Sequence, residues 1–514
     1  MSVIIGIDLG TTNSAAAYMK RGKVEIIPID GKNTVPSVIS LRNDEIVVGD
    51  MAKSRLLIDP KNSVASSKRE IGKDIHYNLG GNIFTPEDVA YRILKKIKEK
   101  SQEYLGENVE EAVVTVPAYF TSEQRKITKS AAERAGLRVL RLMPEPTAAA
   151  LDYGIDQNKN QTIMVYDLGG GTFDISIMEV KGNDFEILAV DGDSHLGGDD
   201  FDNVISGILL NQVKKDLDIS LALQKDRKYV SAMTKIKEAA EKAKKDLSDM
   251  EEVEVILPNL IDDYCLEKVI TREEFNDLSR YLVNKTIEKV NSALESINFT
   301  EEDIDRVILV GGSTKMPMIR ETITRRIKEP YMAANVDEVV AKGAAIMATS
   351  LAAPDYQKRS GIDLSKKINI NEKTVFTYGV DMLDGQDNLI FQPIVRKGSQ
   401  LPVQNGLIGA TSRSFQKKVL FNVYRGDNRI PAENEYIGEL TLKIIEPREE
   451  QIPVLALFDI DENMIIRFRS VEIPMTREFM EIVESDDVKR IIAYVEMGRL
   501  KATEVKIDTH DQGR

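Results

Sequence analysis

Two acidic residues, Asp8 and Asp167, each end an apolar run and are each followed by small, hydroxyl-bearing residues. After Asp8 come Leu9, Gly10, Thr11, Thr12 and Asn13; after Asp167 come Leu168, Gly169, Gly170, Gly171, Thr172, Phe173 and Asp174. Without a Cβ at the glycines, backbone N–H groups and threonine hydroxyls can close around phosphate oxygens. Asp8, Asp167 and Asp174 suit Mg2+ held mainly through water, because Mg2+ dehydrates reluctantly. One such phrase alone reads as a strand and a hairpin; two matched copies read as a site for nucleotide phosphates. The chain has no Gly-x-x-x-x-Gly-Lys-Ser/Thr loop and no Gly-x-Gly-x-x-Gly, which argues against Walker-type ATPases and dinucleotide enzymes.

To bring the two phrases together, the chain needs two α/β subdomains facing each other across a cleft. The copies lie too far apart for a solenoid, whose period is roughly 20 to 50 residues. Apolar runs at residues 3–7, 112–116, 163–166 and 307–310 each lead into Gly, Pro or Asp and predict buried strands. Between them, a helix is expected to open at Thr85 and bury Val89, Ile93, Leu94 and Ile97. Another opens at Thr121, with Gln124 at capping-box spacing, and closes at Gly136. Val230, Met233, Ile236, Ala240, Ala243 and Leu247 recur every three or four residues and predict an amphipathic helix.

The pattern lapses at residues 351–373, read as a linker. Beyond it, residues 418–424, 437–445, 454–460 and 464–468 are short strands between turn residues, predicting an antiparallel sandwich over 374–475. Phe479, Ile482, Val483, Val488, Ile491, Ile492 and Val495 suit one or two short helices in a tail, 476–514, with a frayed end.

At 514 residues, two or three domains are expected. The 83 acidic residues outnumber the 69 basic ones, giving a net charge of −14, which argues against non-specific partnership with nucleic acid or an anionic membrane. A lone cysteine, Cys265, forms no internal disulfide, and His76, His195 and His510 are too scattered for a metal cluster. With no signal-like or spanning apolar run, the reading is cytoplasmic.

Further motifs carry a resemblance. They are Val114, Thr115, Val116, Pro117, Ala118, Tyr119, Phe120; Glu145, Pro146, Thr147, Ala148, Ala149, Ala150; His195, Leu196, Gly197, Gly198; and Val310, Gly311, Gly312, Ser313, Thr314. With the two phosphate phrases, they resemble the DnaK-type chaperones of the 70-kilodalton heat-shock protein family throughout residues 1–350. The resemblance implies an α/β, actin-like (duplicated ribonuclease H-like) ATPase domain over 1–350. It implies ATP/ADP and Mg2+ as ligands, and unfolded polypeptide, a J-domain co-chaperone and a nucleotide exchange factor as partners.

The family's roles then carry over position by position. Lys68 resembles the lysine that steers the attacking water and γ-phosphate, Glu145 the carboxylate near that water, and Thr172 the hydroxyl near the γ-phosphate, with Asp167 beside them. Gly10, Thr11, Thr12, Asn13, Gly169, Gly170, Gly171, Gly197, Gly198, Gly311, Gly312 and Ser313 lie along the nucleotide. Glu241, Lys244, Lys245 and Ser248 share a helix face on the adenosine side, and Asp337 is near the ribose. Lys315 stands where many members have an arginine that stacks on adenine, and an ammonium stacks less well than a planar guanidinium. Pro117 and Arg125 resemble residues that relay nucleotide state.

Beyond residue 350, Val423, Tyr424, Arg425, Gly426 and Phe458, Asp459, Ile460, Asp461 resemble strings of the family's peptide-binding β domain. Residues 362–368 are polar and basic where the family's linker is apolar. Asn463 and Met464 replace an Asn-Gly, so that turn loses the residue best suited to a positive φ. The family's helical lid has no counterpart here, as in short bacterial-type members. Two rivals to a chaperone are a nucleotide-gated regulatory module with slow ATPase and one specific partner, and a small-molecule kinase of the same superfamily.

Overall fold

The structure, a computed structural model, describes residues 2–153, 160–182, 184–193, 195–221, 226–332, 335–361 and 368–506. Contacts divide the chain into two units. Residues 1–71, 75–119 and 127–370 form the first; residues 72–74, 120–126 and 371–514 form the second.

In the first unit, the strand ending at Asp8, Val3–Asp8, lies parallel to Val109–Val116, which is parallel to Arg138–Pro144. On its other side it pairs antiparallel with Asn13–Lys20, and that strand with Lys23–Ile26. The second sheet repeats the plan. Asn160–Leu168 lies parallel to Arg306–Val310, itself parallel to Tyr331–Met332, and antiparallel to Phe173–Lys181, which is followed by Asp184–Asp193. Each central strand thus turns straight into its antiparallel neighbour through a phosphate phrase. The four apolar runs read from sequence all fall within these parallel strands.

The predicted helices form where capping and periodicity placed them. Thr85 caps Pro86–Leu105: its hydroxyl accepts from the Asp88 amide (3.2 Å) while its own amide donates to Asp88 Oδ2 (2.9 Å). That helix buries Val89, Ile93, Leu94 and Ile97 and stops at Gly106, φ 66°. Ser122–Arg134 opens on the reciprocal Thr121–Gln124 pair, 2.9 and 3.2 Å. In Arg227–Asp249 the buried stripe is Ala232, Ile236, Ala240, Ala243 and Leu247, whereas Val230 and Met233 are half-buried.

Two small-residue helices, Glu145–Asp152 and Val339–Leu351, share a core with residues of both sheets, including Ile4, Val113, Ile163, Val165, Ile308 and Val310. Their approach demands glycine at residue 343, where a Cβ would overlap the Ala148 carbonyl.

The segment read as a linker, 351–373, is partly structured. Pro354–Ser360 is helical, the Tyr356 hydroxyl donates to the Ile4 carbonyl (3.2 Å), and Asn369–Asn371 joins the edge of the second sheet. Periodicity misses these because both elements are too short to carry a period. The polar, basic stretch 362–367 lies outside the described residues.

The second unit contains two four-stranded antiparallel sheets. One runs in the order Leu389–Val395, Tyr378–Leu383, Lys418–Arg425, Glu435–Lys443. The other runs Val403–Ala410, Pro453–Ile460, Ile466–Glu472, Thr503–Lys506. Their shared core includes Val380, Phe421, Val423, Leu440, Phe458 and Phe468. In the tail, Arg477–Glu484 and Val488–Glu496 are helical, and Ile482, Ile491 and Val495 pack on Leu455, Leu457 and Val471 of the second sheet. The tail is not helical throughout, since Thr503–Lys506 adds a strand beside Ile466–Glu472. The frayed end expected from sequence, 507–514, lies outside the described residues.

Met464 takes φ 59°, so the turn keeps a left-handed residue without glycine. Asp461 supports it, accepting from the Asn463 and Ile465 amides (2.9 Å each). Among the described residues no helix is long and apolar enough to cross a membrane.

Candidate functional site

The two phosphate phrases meet in the first unit at a cleft of about 810 Å³. Asp8, Gly10, Thr11, Thr12 and Asn13 line one side, and Asp167, Gly169, Gly170 and Thr172 the other. The loops touch: a Cβ on Gly170 would overlap the Thr12 hydroxyl, and one on Gly171 would overlap Thr11. Glycine is therefore a packing requirement here as well as a ligand-binding one. Thr12 Oγ1, held between the loops, is buried without a hydrogen-bond partner, a lone polar atom that a phosphate oxygen would satisfy.

Behind this wall the second loop is fixed by its neighbours. The Gly198 amide donates to the Gly169 carbonyl (2.9 Å), the Asp199 amide to the Gly170 carbonyl (2.8 Å), and Ser313 Oγ to the Gly169 carbonyl (2.8 Å). Gly171, Gly197, Gly198 and Asp174 stand one layer back from the cleft surface. Gly311, at φ 83°, presses on the Leu168 carbonyl, and Gly312 lies against Asp337.

Asp8 and Asp167 line the cleft with Asp174 just behind them, and all three carboxyls are shifted upward. Burial, then the Glu145 charge, pushes Asp8 up to about 7. The same two causes push Asp174 up to about 7, and burial followed by Glu145, Asp174 and Asp8 raises Asp167 well above the usual carboxylate range. Such crowded, desolvated carboxylates favour a cation among them. Among the described residues no three His, Cys, Asp or Glu are grouped to ligate an ion directly. The donor set therefore suits a hydrated divalent cation better than a dehydrated one.

Lys68 sits in a short helical turn, Ser67–Glu70, and its Nζ lies 2.5 Å from Glu145 Oε1, with both side chains almost fully buried. Burial makes each dependent on the other, since removing one leaves an uncompensated charge.

At the other end of the cleft, Glu241, Lys244, Lys245 and Ser248 all line the wall from Arg227–Asp249. Lys244 reaches Asp202 (2.8 Å) and the Gly198 carbonyl (3.0 Å); Glu241 pairs with Lys245 (2.6 Å) and with Lys53 (3.3 Å). Lys315 pairs with Asp337 at 2.8 Å, and both are about half exposed. Pro117, buried, directly follows the strand Val109–Val116, and Arg125, in the second unit, is fully buried and donates from Nε to the Phe120 carbonyl (3.1 Å).

Sequence reasoning missed several participants. Lys53 comes from the helix Asp50–Ile58 and meets Glu241 across 188 positions. Arg69 spans to the Gly170 carbonyl and Asp200, both at 3.3 Å. Val38, Val336 and Val340 supply apolar wall. Arg69 adjoins Lys68 in the chain, which was a usable signal; the others carry no local pattern.

The family model described as Hsp70 protein matches residues 4–512, nearly the whole chain. On that match, and with the duplicated sheets meeting at two phosphate-type loops, the chain belongs to the Hsp70 family.

Proposed function

We propose that this protein is a Mg2+-dependent ATPase of the cytoplasm that works as a chaperone, holding extended apolar polypeptide segments under control of the nucleotide. Residues 1–350 act as the actin-like nucleotide domain and 374–475 as the peptide-binding sandwich, joined through 351–373 and followed by the tail 476–514. The observation that carries the reading is the pairing of two like loops over one cleft, with Thr12 Oγ1 left without a partner between them. When bound, Mg2+ neutralises phosphate charge. Asp8, Asp167 and Asp174 would hold it, mainly through water, while Thr11, Thr12 and the glycine loop orient the phosphates. Lys68 and Glu145 place the attacking water and Thr172 orients the γ-phosphate. Gly197, Gly198, Glu241, Lys244, Lys245, Ser248, Gly311, Gly312, Ser313, Lys315 and Asp337 seat the nucleoside. Pro117 and Arg125 relay its state, and a J-domain co-chaperone and an exchange factor set the cycle's pace.

The peptide-binding part is supported by the first sheet of the sandwich. Its tail-free side exposes Leu383, Leu389, Leu420 and Tyr436, each 43–56% accessible, whereas the tail packs on the other sheet. Leu383 and Leu389 stand opposite each other on adjacent strands, and exposed apolar side chains grouped in this way mark an interaction site. Equilibrium binding of labelled ATP with and without Mg2+, alongside single-turnover hydrolysis by wild type and Lys68→Ala, tests the ATPase. Tight Mg2+-dependent binding with Lys68-dependent hydrolysis is expected; hydrolysis untouched by Lys68→Ala would refute the assignment.

A further inference from the structure

Next to Leu420 in the first sheet lies a group of cations that form no ion pair among the described residues. Lys418 and Lys443 stand directly opposite each other in the antiparallel pair that carries Leu420. Like charges in that position repel and cost stability. Lys417 and Arg413 adjoin them on the loop 411–417, which also carries Phe415, 61% exposed. The loop is held to the neighbouring segment by backbone bonds, Ile444 amide to Lys417 carbonyl (3.0 Å) and Phe415 amide to Arg448 carbonyl (2.6 Å).

That segment carries three carboxylates, Glu446, Glu449 and Glu450, of which Glu446 pairs with Arg448; Glu472, at the end of the strand Ile466–Glu472, accepts from the Ile445 amide (2.6 Å). Glu450 and Glu472 also act on Arg448. Among the described residues, no ion pair is formed by Arg413, Lys417, Lys418 or Lys443. A protein that places a Lys418–Lys443 pair at the border of an apolar surface, and leaves both without a carboxylate, provides for an anion from elsewhere.

We propose that this border selects its client, so that the favoured ligand is an extended apolar polypeptide segment flanked by aspartate or glutamate. The apolar core lies on Leu383, Leu389 and Leu420, and an acidic flank reaches Lys418, Lys443, Lys417 and Arg413. Main-chain pairing and apolar pockets supply general affinity, and the cations supply discrimination between flanks. The inference rests on the sandwich being the peptide-binding part proposed above.

The test uses the full chain and two fluorescent peptides sharing one leucine- and valine-rich core, one flanked by two glutamates on each side and the other by two lysines. Fluorescence anisotropy at low salt is expected to show the glutamate peptide binding about tenfold tighter, the sum of a few exposed ion pairs. The preference shrinks towards parity at about 0.5 M salt, where such pairs are screened. The triple variant Lys417→Glu, Lys418→Glu, Lys443→Glu, with unchanged circular dichroism, inverts the order; Lys418→Gln alone, at an exposed position, weakens the preference without reversing it. Equal affinities, or a preference for the lysine peptide in wild type, overturn the inference while leaving peptide binding intact. Binding of neither peptide removes both it and the reading on which it rests.

Discussion

Lys68 and Glu145 are 77 positions apart and nearly buried together, so the pair stands or falls as a unit. Lys68→Ala is expected to lower single-turnover ATP hydrolysis by at least about 100-fold, as loss of a positioned charge at a reacting centre does, while ATP still binds. A rate within a few-fold of wild type would contradict this. A second residue, Asp152, tests the electrostatics away from the phosphate loops. Burial pushes its carboxyl up to about 6, with Lys342 opposing and Glu338 adding to the shift. Its folded-state value lies above the ordinary 3.8, so the protonated form's contribution to stability is complete below 3.8 and lost as pH rises through 6. Asp152→Asn should gain on wild type by about 1 kcal/mol between pH 4 and pH 8, allowing for screening at a partly exposed group. Urea unfolding at the two pH values checks it, and an unchanged difference would refute it. At this scale the phosphate phrases were legible because each packs its chemistry into a few consecutive residues. Lys53 was not, because what it does is set by Glu241, a partner brought near only by the fold.

Elements were legible wherever capping and periodicity agreed. Thr85 and Asp88 announce the helix Pro86–Leu105 and bond reciprocally as their spacing predicts. Thr85→Ala should cost about 1 kcal/mol in chemical denaturation; a cost near zero would mean that the cap is redundant. The close crossing of Glu145–Asp152 and Val339–Leu351 was not legible, since it depends on a glycine whose reason is the Ala148 carbonyl of another element. Gly343→Ala should cost at least about 2 kcal/mol, because backbone cannot yield as a flexible side chain can. A variant as stable as wild type would show that the helices separate freely. The strand Thr503–Lys506 was hidden for a related reason: four residues carry too little pattern, and only pairing with Ile466–Glu472 makes them a strand. Met464 shows the reverse case, a local rule broken while the turn persists, with Asp461 accepting the bonds that hold it.

The molecule as a whole holds a cleft lined by two like loops in one unit and a sandwich with exposed apolar side chains in the other. Duplicated sheets, the alternation of strand and helix, and the change to β texture after residue 350 were all visible in the sequence, because each extends over many residues. What composition and periodicity do not encode is coupling, since that is a free energy linking two sites and not a pattern within either. The most direct test is single-turnover hydrolysis of ATP by the full chain, with and without saturating extended apolar peptide, using Lys68→Ala as control. A Lys68-dependent rate that peptide accelerates by about fivefold or more, the lower range of such couplings, is the predicted result. Lys68-dependent hydrolysis indifferent to every peptide that binds would contradict nucleotide control of the sandwich, leaving an ATPase that acts as a regulatory module on a partner of its own.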